Sequence, residues 1–293
     1  MNTVNIPSTS DAASPRAVEA AAPVFEFDAA GGRFKYAYDD LKAALSRPQL
    51  MYTLIKNDFA VRFQGSMLGG FWVTVTTLAT VTGLGLMYSQ IFGASLKVYF
   101  PYVAVGIIVW GVISSLINEG AAIFTGGAGV FNQTPMPKSL FAFKALGRAG
   151  VNFLFKLIVL VGVIVALGIR PGFGAVLTSI AGLVLIFWTG FWVALGLGTL
   201  GARFKDVGQL ANTFVTFAFF MTPVFWQSGR LGAYEHLIHY NPFFHFLNIV
   251  RGPLLGNEHV AASFVWAGGA ALVSTVFGAA LFGVFARRLS YWC

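Results

Sequence analysis

Of the 293 residues, 57% are hydrophobic and only 10% are charged, and the mean hydropathy is +0.73. Soluble globular domains carry about 25% charged residues, so this balance excludes that class and indicates an integral membrane protein. The net charge of +8 is then explained by membrane topology and contact with anionic lipids, with no nucleic-acid partner, and the lone cysteine, Cys293, excludes an intrachain disulfide.

Residues 1–38 are rich in Ala, Ser and Pro and lack the continuous apolar core of a signal peptide. They are expected to form a disordered cytoplasmic tail. Residues 39–66 are expected to form a cytoplasmic, interfacial helical segment. There Met51, Ile55, Phe59 and Phe63 recur every four residues and give a helix one apolar stripe, with Lys56 and Arg62 toward the headgroups. Residues 67–293 form the transmembrane domain. No Asp, Glu, Lys or Arg occurs between Arg62 and Lys97, Lys97 and Glu119, Arg170 and Arg203, Asp206 and Arg230, or Glu258 and Arg287. Each window is long enough for the roughly 20 apolar residues that a helix needs to cross a bilayer. A sixth span contains one charge, Lys156. The predicted spans are 68–92, 101–123, 149–169, 173–200, 207–226 and 261–285. Ten Lys and Arg residues in the flanks and short loops fall on one side and four on the other, which puts both termini in the cytoplasm. The fold class is therefore all-α integral membrane, with six transmembrane helices.

Glu119 and Lys156 are the intramembrane charges, expected within two turns of the cytoplasmic face on successive helices and paired with each other. The loop at 125–147 contains Gly-Gly and Pro-x-Pro breakers, and Ser139 is placed to cap a short helix over 140–146. A connection of that length makes a candidate docking surface for a soluble partner. Arg203, Lys205 and Asp206 cluster at a cytoplasmic turn, where snorkelling and charge pairing suffice to explain them. The segment 241–256, NPFFHFLNIVRGPLLG, is too short to cross. Asn241 suits a helix cap, Pro242 the first turn, and Gly252-Pro253 a break. The segment is expected to re-enter the outer leaflet as an extracytoplasmic gate, with His245, Asn248 and Arg251 on one face toward protein or an aqueous exit. An interfacial anchor is the alternative. The chain carries no GxxxxGK(S/T) phosphate loop, no HExxH or Cys/His metal pattern and no GxSxG elbow. No cofactor is expected, and any ATP would be hydrolysed by another chain.

The runs NDFAVRFQGSMLGGFW, ARFKDV, TPVFW and NPFFHFLNIVRGPLLG occur in an order and spacing that resembles the membrane subunits of type-2 ABC exporters of the polysaccharide and O-antigen group, over about residues 50–290. One departure is the absence of a proline soon after Trp72, which predicts a straighter first helix. The resemblance implies a half-transporter in the bacterial inner membrane. Two copies would form the pore, two copies of a separate ABC ATPase would bind ATP at the cytoplasmic face, and a lipid-linked glycan would move from cytoplasm to periplasm. It places the ATPase-coupling elements at 50–64 and 125–147, at residues such as Ile55, Asp58, Phe59, Arg62, Asn132, Gln133, Pro137 and Lys138. The gate comprises Asn241, Pro242, Phe244, His245, Asn248, Arg251 and Pro253. The 30 Phe, 9 Tyr and 7 Trp suit a cargo of sugar rings, whose C–H faces stack on aromatics. Two other classes remain open: a secondary transporter, and a membrane enzyme acting on lipid-linked sugars. Within the exporter class, capsule and teichoic-acid export are also open.

Overall fold

The computed structural model describes residues 32–125, 136–256 and 260–292. Its helices are α1 (Arg33–Leu45), α2 (Pro48–Arg62), α3 (Phe71–Phe92), α4 (Leu96–Ala121), α5 (Ser139–Ala166), α6 (Phe173–Arg203), α7 (Val207–Met221), α8 (Pro242–Leu254) and α9 (Ala261–Phe285). A 3-10 run, Ser228–Tyr240, kinked at Gly232, links α7 to α8. Among the described residues there is no strand. The helices α3, α4, α5, α6 and α9, the last continued to Arg288, are long and apolar enough to cross a membrane, and α7 is a shorter apolar helix.

The bundle is organised around α4, which packs against α3, α5, α6, α7 and α8 and is the most buried of the long helices. Because lipid is as apolar as Leu, close approach in a bilayer depends on small residues. The α6–α9 contact shows this clearly: a Cβ on Gly278 would lie 2.3 Å from the Trp192 carbonyl oxygen. Between α4 and α6, a Cβ on Gly120 would lie 2.7 Å from the Ala194 Cα. The alternation of the long helices gives the molecule two ends. At the α2 end lie α1, α2, the start of α5 and the ends of α4, α6 and α9. At the α8 end lie the α3–α4 and α5–α6 turns and the chain from Thr222 to Gly256.

Four element boundaries differ from the sequence expectation. Helix α1 begins at Arg33, inside the predicted tail, because the Phe34 ring seats on Gly283 of α9. The third long helix starts at Ser139 rather than 149 and absorbs the predicted short helix at 140–146. Its first three turns carry Lys144 and Arg148, which looked like loop charges but have carboxylate partners. Helix α4 begins at Leu96 rather than 101, with Pro101 accommodated inside it. The apolar stretch predicted as 207–226 stops being helical after Met221. The residue before a proline is pushed out of the α region, and Thr222, before Pro223, is extended at φ −103° and ψ 138°. Fifteen helical residues reach only about 22 Å, and residues 222–226 carry the chain on to the first turns of α4.

Candidate functional site

At the α8 end, the Asn241 side chain caps α8 by accepting from the Phe243 amide at 2.9 Å, and Pro242 occupies the first turn. The same Asn241 amide donates to Thr222 Oγ1 at 3.0 Å, tying the helix start to the end of α7. Helix α8 then slopes through the bundle. Phe243 in its first turn meets Trp110 of α4 with ring centroids 5.5 Å apart, whereas Arg251 near its end meets Tyr102. Those two α4 positions are eight residues, or about 12 Å, apart along the helix axis. Eight of its thirteen residues are buried, from His245 to Pro253 with Asn248 half-buried. A helix lying flat on a membrane surface would bury only one stripe.

The Gly252-Pro253 step does not break α8, in contrast to the sequence reading; the helix runs through it to Leu254. Pro253 lacks the N–H that would bond the Ile249 carbonyl. That carbonyl faces α6 at Gly182, where a Cβ would lie 2.9 Å from it, and the neighbouring Val250 carbonyl accepts from Ser179 Oγ at 2.9 Å. The proline thus frees backbone for helix-to-helix contact in its last turn.

His245, Asn248 and Arg251 share one face, and the structure supplies their partners. His245 Nε2 lies 2.8 Å from the His239 carbonyl, which can only accept, so Nε2 carries the proton. Nδ1 of the neutral ring then accepts from Ser263 Oγ at 3.1 Å, and Ser263 accepts from Asn248 Nδ2 at 2.9 Å. Trp266 stacks on the His245 ring at 5.5 Å. Arg251 is buried; Nη1 donates to the Pro223 carbonyl at 2.8 Å, and the guanidinium stands 3.8 Å over the Tyr102 ring centroid. Tyr102 Oη donates to the Trp226 carbonyl at 2.8 Å, and Tyr99 Oη bonds the Phe225 carbonyl. Arg251 and the two tyrosines therefore hold residues 223–226 between α8 and α4. Sequence reasoning quoted TPVFW without a role and missed Tyr99, Tyr102, Ser263 and Trp266. The available signal was a pair of tyrosines flanking Pro101 at the start of an apolar helix.

At the α2 end, the predicted stripe is the face that docks on α5. Ile55 fills the notch at Gly147, and the Phe59 ring stacks on Phe155 at 5.8 Å. Asp58 lies on the same face. It accepts from Arg148 through Nε at 2.6 Å and Nη2 at 2.5 Å, and pairs with Lys144 at 2.7 Å. Burial pushes the Asp58 carboxyl up, but the hydrogen bonds and charges of Arg148 and Lys144 outweigh it and hold the group below the usual carboxylate range. Ile55, Asp58 and Phe59 are thus turned toward the protein, and the exposed face of α2 carries Tyr52, Lys56, Val61 and Arg62.

Pro137 and Lys138, also expected at a docking surface, are buried. The α5 helix begins beneath α1, where Asp40 accepts from the Lys138 and Ser139 amides at 2.7 and 2.8 Å, and Lys138 Nζ donates to the Ala286 carbonyl at 2.6 Å. Asp40 is the cap of α5, supplied from 98 residues away. Burial raises its carboxyl despite those donors, and burial together with the Asp40 charge pushes Tyr36 up to about 12. Asn132 and Gln133 lie outside the described residues.

The expected Glu119–Lys156 pair is not formed. Glu119 accepts from Ser115 Oγ at 2.8 Å and faces Arg148 Nη1 at 3.4 Å. With α5 starting at Ser139, Lys156 lies about 12 Å deeper than Arg148 along that helix, and its Nζ rests against Gly111 of α4. Arg203, Lys205 and Asp206 are exposed, and Arg203 stands 5.2 Å over the Trp292 ring rather than pairing with Asp206.

Long helices packed through glycine seams, a half-length helix clamped into one end and an amphipathic helix ion-paired at the other make a multi-pass membrane protein. Residues 49–255 match the ABC-2 type transporter family, and the chain belongs to that family. It is similar to the "O-antigen export system permease protein RfbA" of Klebsiella pneumoniae, 23% identical over 202 residues covering 66% of this chain and 75% of that one. A protein of the same name from Myxococcus xanthus is 19% identical over 182 residues, covering 62% of this chain and 70% of the relative. The chain is accordingly a type-2 ABC permease resembling the O-antigen group, the transmembrane subunit of an ABC exporter, and membership of the family implies partnering with an ABC ATPase subunit.

Proposed function

We propose that two copies of this chain enclose the export path for a lipid-linked polysaccharide, moving it from cytoplasm to periplasm across the bacterial inner membrane. In this reading six segments cross, α7 with residues 222–226 being the fifth, and both termini are cytoplasmic. The excess of Lys and Arg at the α2 end supports that orientation. The exposed face of α2, with Tyr52 and Lys56, is the docking surface for the ATPase, and α8 is the extracytoplasmic gate. The observation that carries the gate is the clamp of Arg251 on the Pro223 carbonyl and the Tyr102 ring. It ties α8 to the segment that follows the bundle's short helix, and releasing one hydrogen bond and one ring contact removes the hold of Arg251 on that segment.

The test is thiol labelling of a Phe244→Cys variant in vesicles containing the ATPase. Labelling by a membrane-impermeant reagent should rise during ATP-driven export and stay at the resting level with a hydrolysis-deficient ATPase. Labelling that ignores the nucleotide state refutes the gate.

A further inference from the structure

Beside the clamp lies a cavity of about 640 Å³ whose lining includes Tyr102, Phe244, His245, Asn248, Arg251 and Trp266. Its volume is in the range of small-ligand sites, about 300–1,000 Å³. Its walls combine two kinds of surface. Trp266 and Phe244 offer apolar ring faces, and Trp266 remains 52% exposed although His245 covers one side of it. Asn248 and Arg251 offer polar atoms. The Asn248 amide nitrogen donates to Ser263, and its carbonyl oxygen has no donor among the described residues. Arg251 lines the cavity as well; it is only 5% exposed, and its guanidinium is shared between the Pro223 carbonyl and Tyr102.

We propose that this cavity is a binding site for one pyranose ring of the exported glycan. A pyranose presents an apolar C–H face flanked by hydroxyls, each both donor and acceptor. Trp266 provides the stacking platform, the Asn248 carbonyl accepts from one hydroxyl, and Arg251 donates to another. Because the guanidinium that reaches the cavity also holds Pro223, a bound ring competes for the residue that keeps the gate shut. Cargo in the exit path thereby loosens the clamp. The site rests on the export reading for its ligand class, but binding is measurable without transport.

The experiment uses the wild-type chain with its ATPase in nanodiscs and ligand-observed saturation-transfer NMR. The probes are the methyl pyranosides of glucose, galactose, mannose and N-acetylglucosamine, with glycerol phosphate as an anionic headgroup probe. At least one glycoside should bind. Trp266→Leu should weaken it about tenfold, the loss expected of one stacking contact, while Trp266→Phe retains most of it. Asn248→Ala provides a second variant, with a similar loss of binding and a lowered thermal midpoint, since it also removes the hydrogen bond to Ser263. Absence of binding by every glycoside, equal binding by wild type and both loss variants, or binding of glycerol phosphate alone overturns the site. Glycoside binding in a complex that performs no ATP-driven export would leave the site standing and refute the export reading.

Discussion

Neutralising Asp58 separates docking of α2 by charge from docking by its apolar stripe. The carboxylate receives two hydrogen bonds from Arg148 and one ion pair from Lys144. The side chains of Asp58 and Arg148 are 14% and 30% exposed. That places the pair between exposed pairs, worth about 0.2–1 kcal/mol, and buried ones, whose disruption costs about 3–5 kcal/mol. A bidentate, partly desolvated contact is therefore expected to couple by about 2 kcal/mol, a factor of nearly 30. Asp58→Asn alone should cost about 3 kcal/mol, because Lys144 also loses its counter-charge. Arg148→Met should cost a similar amount, since Glu119 loses its cation as well. The assay is a double-mutant cycle on denaturant unfolding of the solubilised chain. Since the Asp58 pKa is depressed in the fold, its contribution is complete above the unfolded value and lost as pH falls through the lowered folded one. The wild-type advantage over Asp58→Asn should therefore be constant between about pH 5 and pH 8 and vanish only in stronger acid. A coupling energy below about 0.5 kcal/mol, the level of an exposed pair, would refute the reasoning and leave the Ile55 and Phe59 contacts as the whole of the docking.

Lys156→Met should change unfolding stability by less than about 1 kcal/mol, because no carboxylate loses a partner; a loss as large as that of Arg148→Met would restore the Glu119–Lys156 pair. Asp40→Ala should destabilise by about 2–3 kcal/mol by uncapping α5, and limited proteolysis should then cut within α1, which it spares in the parent. Gly278→Val should cost about 3 kcal/mol or abolish folding, since its Cβ would meet the Trp192 backbone rather than a movable side chain; near-normal stability would show that the α6–α9 seam can open.

Legibility followed the range of each interaction. The apolar windows, the Asn241-Pro242 start of α8 and the stripe Ile55, Phe59, Phe63 are local periodicities and caps, and each appears as a helix or a half-buried packed face. The start of α5 was misplaced because Lys144 and Arg148 look like loop charges until Asp58 and Glu119, from two other helices, are brought beside them. The same ten-residue shift moved Lys156 away from Glu119. Side chains that act across the fold, Asp40 on Ser139 or Tyr102 on Trp226, are separated by more than ninety residues and leave no local pattern. The orientation of α2 was half legible: the stripe was found, but periodicity alone does not say whether it faces lipid, partner or the rest of the chain.

The contacts of Asp40 with Ser139 and of Lys138 with Ala286 also set an order of assembly. Synthesis proceeds at about 5–20 residues per second, so Asp40 leaves the ribosome well before its acceptor site and the Ala286 carbonyl exists only after the last long helix has been made. Until then Lys138 has lost water at a forming interface without its final acceptor, and α1 can close on the start of α5 but not on Gly283 of α9. Of the described helices α1 is thus the last to settle fully although it is the first to be made, and its full docking requires both α5 and α9. A chain stalled before Ala286 would expose α1 and the start of α5 together, the kind of apolar and unpaired surface by which quality-control proteases recognise an unfinished membrane protein.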